Sequence, residues 1–377
     1  MRALVLVDHA VGTSGPHRNV VGSLNALGTR SDLTVRLLAG AVDETEPYAH
    51  AANLEIRLGF HPHSAFRFAA NCRAVLAAAR GCEVLYVPTN LKSLLYAQLA
   101  RVGRRVVAGP NVTPLPIRRS DSPGRPELAL MCDLWLEASD AKKDHVIARS
   151  GFSNVRCIRH SIDGAMFSPN RRSVGVWERY GILSGTTKVL YVGRDDEPRK
   201  GVRQLIDAVE QLNCSGLAGD LDFIFVGRMS EATVRRTAAM PNVHRLGFIK
   251  GVDLANVYAG ADIAVVPSSW ENMPFSVLEA MSSGLAVLAP RVGGIPEQVV
   301  DGESGVLLDL VGDDGRHRRD AGKILAEAIR GLTDNPGRRH HLGQAARRRT
   351  LEHFSEARLG AELAEALRPA SRENTSC

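Results

Sequence analysis

The chain lacks any apolar run approaching the ~20 residues that a helix needs to cross a bilayer. That excludes a helical membrane span. Aromatic residues are scarce, at 5%. No recognised nucleic-acid module or aromatic stacking platform accompanies the arginines, so nucleic acid is not expected as a partner. The six cysteines (Cys72, Cys82, Cys132, Cys157, Cys214 and Cys377) show neither CxxC pairs nor metal-ligand spacing. A disulfide framework and a structural zinc site are thereby excluded, and a reduced cytosolic setting with thiols as core filler follows. The sequons at Asn111, Asn213 and Asn374 are then accidental. Neither sign of charge dominates: 47 Lys and Arg stand against 41 Asp and Glu, a formal net charge of +6. The opening MRALVLVDHA turns polar too early for a secretory signal and reads as a first strand.

What is present is a soluble globular composition, 44% hydrophobic and 23% charged over 377 residues, long enough for two domains of ordinary size. Short apolar runs at Leu4–Val7, Leu33–Leu38, Glu83–Val87, Arg105–Ala108 and Leu134–Glu137 alternate with helical spacing such as Val20–Leu27. The rhythm restarts at Val189–Val192 and continues through Phe223–Val226, Ile263–Val266 and Ala286–Leu288. This alternation predicts an α/β fold of two doubly wound parallel sheets. The boundary is expected near Pro169, giving domains over 1–168 and 169–350, with residues 169–184 as connection and first helix of the second. A last helix is expected within 351–370, with Leu359, Leu363 and Leu367 on one face, followed by a disordered tail over 371–377. Basic clusters at 101–105, 118–119, 316–319, 338–339 and 347–349 read as solvated faces or as contact with an anionic membrane. His9, His17, His61 and His63 read as surface or capping residues.

The stretch 262–284, DIAVVPSSWENMPFSVLEAMSSG, holds the densest chemistry. A buried strand breaks at Pro267, and a helix begins near Pro274, which fits a first turn whose amides have no intrahelical partner. Gly284 closes that helix. Loop amides and the helix's positive end suit a diphosphate. Glu271 lies in the loop and Glu279 within the helix. Two carboxylates beside a phosphate make electrostatic sense when each addresses a hydroxyl-bearing part of one ligand, the layout of a nucleotide sugar. Upstream, GRDDEPRKG sets Arg194 and Lys200 around a short loop, with Gly201 opening a helix. Arginine supplies a fork and lysine a point charge, together a diphosphate clamp. These cations already supply the positive charge a metal would bring, so Asp195, Asp196 and Glu197 read as a solvated turn and no metal is expected.

GRDDEPRKG, the paired glutamates with EAM, and GLAVLAPRVGGIPEQVVDGESGVLL follow one another in a fixed order. Together they resemble the retaining glycosyltransferases of the GT-B fold, family 4 (glycosyl transferases group 1). The GRDDEPRKG loop is similar to that of the phosphatidylinositol mannosyltransferase branch. The resemblance implies two Rossmann-like domains facing across a cleft, and a cytoplasmic enzyme that takes a UDP- or GDP-sugar without a metal. It implies catalytic roles for Glu271, at hydroxyls of the transferred sugar, and for Arg194 and Lys200, at the leaving diphosphate. Glu279 would hold the ribose, and Asn272, Met273, Pro274, Phe275 and Ser276 would complete the phosphate cradle with Gly193. Gly15 would approach the donor's phosphates, and Gly247, after the strand Val243–Phe248, the base. Gly293, Gly294 and Glu297 would form a further turn and cap, and the last helix would return to the first domain. No covalent nucleophile stands out, and attack on the same face of the sugar is implied. Three departures appear. In the loop Gly12–Gly15, where relatives carry two adjacent glycines, this chain has Ser14 then Gly15. The histidine that relatives often place after the strand matching Arg105–Ala108 is replaced by GPNVTPLP, where Asn111 is the available hydrogen-bonding group. RHSIDGAMFSP keeps Asp163, Phe167 and Pro169 of the family's segment before the linker but not the Pro, Asn and Gly of its P-N-G-V-D core. A GT-B epimerase or phosphorylase, and a non-catalytic nucleotide-sugar-binding protein, remain as alternatives. The acceptor stays open among glycan, lipid-linked and small-molecule classes. Contact with anionic membrane would make the location peripheral at its inner face.

Overall fold

The computed structural model describes residues 1–10, 15–111, 130–173, 175–182, 185–195 and 197–368. Asp196, the tail 371–377 and all of the GPNVTPLP segment after Asn111 lie outside them. The chain divides into two compact units, Met1–Ser161 with Glu356–Cys377, and Ile162–Ser355.

The first unit is built on seven parallel strands: β1 (Arg2–Leu6), β2 (Thr34–Ala39), β3 (Leu54–Leu58), β4 (Val84–Thr89), β5 (Arg105–Asn111), β6 (Leu134–Glu137) and β7 (Val155–Cys157). Their order across the sheet is β3-β2-β1-β4-β5-β6-β7. Val5 pairs with both Leu37 and Tyr86, so β1 is an interior strand. The second unit carries β8 (Thr187–Val192), β9 (Leu221–Val226), β10 (Val243–Gly247), β11 (Ile263–Val265), β12 (Ala286–Pro290) and β13 (Val306–Leu308), ordered β10-β9-β8-β11-β12-β13. Each sheet winds outward from its first strand in both directions, the doubly wound pattern expected from the strand rhythm. Central strands are apolar because helices cover both faces: every residue of β9 is buried.

Two boundaries differ from expectation. The units divide at Ile162 rather than Pro169, because the segment after Ile162 is bonded into the second unit. Ile162 N donates to Phe354 O, the Ser282 hydroxyl and the Arg347 guanidinium both donate to Phe167 O, and the Phe167 ring meets Tyr258 edge-on. Gly15 is the first residue of the helix Gly15–Gly28, not part of a loop. The last helix, Glu356–Leu367, buries Leu359, Leu363 and Leu367 in the first unit's core beside Leu24 and Leu27.

Candidate functional site

In the second unit the winding reverses between β8 and β11, and open α/β sheets bind ligands outside the carboxyl ends of strands at such a point. The loop after β8 ends in a short 3-10 turn, Pro198–Lys200, and Gly201 then enters the helix Val202–Cys214. The loop after β11 runs to Pro274, which caps the helix Phe275–Ser282 with β-region backbone angles. The two loops abut. Ser269 N donates to Arg199 O at 2.7 Å. Gly201 has φ +70°, and a Cβ there would lie 2.0 Å from Pro267 O, so only glycine allows this approach. On the other side, Gly293 has φ +52° and a Cβ would lie 1.7 Å from Glu271 O. The Glu271 loop is thus gripped by backbone from two directions.

The grip presents a charge cluster. Lys200 Nζ donates to Glu271 Oε1 at 2.7 Å, the Ser268 hydroxyl to the same oxygen at 2.9 Å, and Arg199 at 3.3 Å. Arg199 also lies 2.6 Å from Glu197, which pairs in turn with Arg194. Glu271 is 8% exposed, whereas the Arg194 side chain is 60% exposed. The two cations of the expected clamp each meet a carboxylate: Lys200 is paired with the one assigned to the sugar, and Arg194 with Glu197. The solvated turn also needs correction, because Asp195 accepts from the Ser230 hydroxyl at 2.9 Å and so ties the loop to the one after β9.

Residues 186–335 match the family model of glycosyl transferases group 1. Among curated proteins the chain is similar to the D-inositol 3-phosphate glycosyltransferase of Corynebacterium diphtheriae, 34% identical over 175 residues, 44% of this chain and 39% of the relative. It is also similar to the GDP-mannose-dependent alpha-mannosyltransferase of Corynebacterium glutamicum, 30% identical over 224 residues, 54% of this chain and 49% of the relative. The chain spans about half the length, or less, of these relatives. Among solved structures, Anabaena HepE in complex with UDP superposes with a TM-score of 0.76 at 18% identity, covering 97% of this chain and 99% of that one. The chain has the GT-B fold.

Within the group 1 region the electrostatics follow from burial set against paired charge. Burial works against the Glu197 carboxylate, but Arg199, Arg194 and Lys200 outweigh it and hold its carboxyl below the usual glutamate range. Burial, then the charges of Glu271 and Asp195, pushes the Tyr191 phenol far up, so it stays protonated and donates to Arg194 O at 2.9 Å. Met273 and Pro274 are buried, while Asn272, Phe275 and Ser276 are half-buried. Pro274 holds the N-cap position of the helix Phe275–Ser282, and no acidic residue stands in its first turn to offset the positive end. Glu279 is 1% exposed within that helix. Gly193 follows β8 and Gly247 ends β10; Gly193 N donates to Val226 O at the end of β9, and Gly227 N, just beyond it, to Gly247 O. Gly15 belongs to the first unit.

Three residues that hold this cluster and its loop are not singled out by the sequence. Arg199 was passed over in favour of its neighbours; the signal that finds it is the proline-led 3-10 turn, which sets positions 199 and 200 beside the same carboxylate. Ser268 lies in the break after β11, and its hydroxyl reads as turn chemistry. His317, in a loop far along the chain, has Nε2 2.7 Å from Pro267 O and must donate there, because a carbonyl only accepts.

Proposed function

We propose that the chain transfers a sugar from a UDP- or GDP-sugar to an acceptor hydroxyl, with retention of anomeric configuration and without a metal. The observation that carries this reading is the Lys200–Glu271 contact of 2.7 Å at the winding reversal of the second sheet. A cation suited to phosphate and a carboxylate suited to hydroxyls stand side by side, as a ligand with phosphate next to a sugar requires. The bond between the anomeric carbon and the phosphate oxygen breaks, and the acceptor oxygen bonds to the same face while its proton passes to the departing phosphate. Negative charge grows on the diphosphate, and Lys200, Arg199 and Arg194, with the end of the helix Phe275–Ser282, are arranged to meet it. Glu271 exchanges its cation contacts for hydroxyls of the sugar. Glu279 holds the ribose, Asn272 to Ser276 with Gly193 border the phosphates, and Gly247 lies toward the base. Both nucleotides stand because one relative is named for GDP-mannose and HepE was crystallised with UDP.

Nucleoside diphosphate release that requires an acceptor, with proton NMR of the product's anomeric signal, tests the proposal. Acceptor-independent conversion of the donor would point instead to an epimerase, and an inverted product would refute the retaining mechanism.

A further inference from the structure

The loop that carries Glu271 runs between two prolines, Pro267 and Pro274, and side chains from later in the second unit hold the carbonyl at each end. His317 Nε2 donates to Pro267 O at 2.7 Å, and Gln298 Nε2 donates to Pro274 O at 3.1 Å. Between these ends the loop is held from other directions. Ser269 N donates to Arg199 O at 2.7 Å, and Gly294 N to Asn272 O at 2.8 Å, backbone bonds that no side-chain substitution removes. Arg199 donates to Trp270 O at 3.2 Å.

His317 is presented by a closed turn after β13. Val311 and His317 form an antiparallel bridge, Gly312 N donates to Arg316 O at 2.9 Å, and Arg318 N returns to Leu310 O at 2.9 Å, with Leu310 buried. The imidazole stands where Gly201 passes Pro267, for a Cβ on Gly201 would lie 3.0 Å from His317 Nε2. It thus fixes the start of the Glu271 loop beside the residue that follows Lys200. Gln298 ends the short helix Ile295–Gln298, whose carbonyls Glu297 O and Gln298 O both accept from Arg349. Gln298 is 0% exposed, and its Oε1 has no hydrogen-bond partner among the described residues. A buried amide with one end unsatisfied carries a cost that leucine would avoid. Stability does not account for a glutamine there, whereas its donation to Pro274 O does.

We propose that His317 and Gln298 are positioning residues for sugar transfer, which hold the Glu271 carboxylate where it meets the hydroxyls of the transferred sugar. The inference rests on the transferase reading. With either end released the loop shifts, and a misplacement of about 1 Å can cost ~100-fold in rate. The cations that meet the diphosphate lie on the loop after β8, outside the two holds, so nucleoside diphosphate binding persists. His317→Phe and Gln298→Leu keep a similar volume and remove the donor, while His317→Gln keeps a donor at similar reach. Turnover, melting, and calorimetry with UDP, GDP and their sugars on each variant test the proposal. His317→Phe and Gln298→Leu should lower kcat ~10–100-fold and weaken the nucleotide sugar, with the nucleoside diphosphate dissociation constant changed by no more than about twofold. His317→Gln should recover most of the lost turnover. Val277 N also donates to Pro274 O, at 3.2 Å, so Gln298→Leu should leave the melting curve in place. Wild-type turnover in both variants, or nucleoside diphosphate affinity falling in step with turnover, would overturn the proposal. So would a His317→Gln variant as slow as His317→Phe, or a collapsed melting curve for Gln298→Leu. Absence of nucleotide binding by the wild type is a separate result, which would remove the transferase reading and this proposal with it.

Discussion

Replacing Glu271 with alanine should lower stability, lower turnover, and yet leave nucleotide binding intact or tighter. The side chains of the Lys200–Glu271 pair are 23% and 10% exposed. Fully exposed pairs contribute roughly 0.2–1 kcal/mol, and stripping one partner from a buried pair costs about 3–5 kcal/mol. Lys200 keeps partial access to water, so an intermediate loss of ~1–2 kcal/mol is expected, a fall in melting temperature of about 2–8 °C for a unit of this size. In the absence of ligand, Lys200 is already occupied by Glu271, and a diphosphate must compete for it. Removing the carboxylate removes that competition. If ~1 kcal/mol no longer has to be surrendered, UDP or GDP binds about fivefold more tightly. Turnover should fall ~100-fold or more, because the sugar's hydroxyls lose their acceptor. Calorimetric titration of both nucleotides, scanning calorimetry and initial rates on the same preparations give the three numbers. A tenfold loss of nucleotide affinity running parallel to the loss of turnover would refute this reasoning, since Glu271 would then serve the nucleotide directly.

Glu279→Ala should show the reverse balance, with nucleotide affinity falling at least as far as turnover in the same titration. Gly293→Ala should cost more than ~2 kcal/mol in urea unfolding, from the left-handed φ together with the clash against Glu271 O; an unchanged midpoint would show that the loop relaxes freely. In the first unit, burial and then the Arg358 charge depress the His160 imidazole to about 3. The unfolded chain therefore binds a proton below pH ~6.5 that the folded unit refuses, so stability is full above that value and is lost progressively as pH falls toward about 3. His160→Asn should flatten urea stability between pH 7 and 4, and an unaltered slope would remove His160 as the cause. Turnover should survive excess EDTA, whereas loss of activity restored by magnesium would bring Asp195 into contention as a ligand.

How much of this was legible depended on where each signal was stored. The central strands β8, β9, β11 and β12 carry runs of buried apolar residues, beside the buried Lys188–Asp222 pair of β8 and β9, and those runs mark them. The strands β3, β7 and β13 were not expected. β3 and β7 lie at the edges of the first sheet and are partly exposed, and β13, at an edge of the second, is only three residues long. The unit boundary moved to Ile162 because Ser282 and Arg347 bond Phe167 O across 115 and 180 residues, information that no local window contains. At the site, Glu271 and Lys200 were named for their chemistry, but their contact was not, because it depends on how a 3-10 turn and a loop seventy-one residues apart meet. Asp195 was misjudged for the same reason: its partner, Ser230, stands at the start of a different helix.

The central claim is that the second unit binds a nucleoside diphosphate through Lys200 and its neighbours, and a melting titration with UDP and GDP tests it most directly. At ~100 times the dissociation constant, the bound nucleotide should add roughly 2.7 kcal/mol to the stability of the wild-type protein and raise its melting temperature accordingly, and Lys200→Met should lose most of that shift. Melting curves left unmoved by both nucleotides would contradict the account.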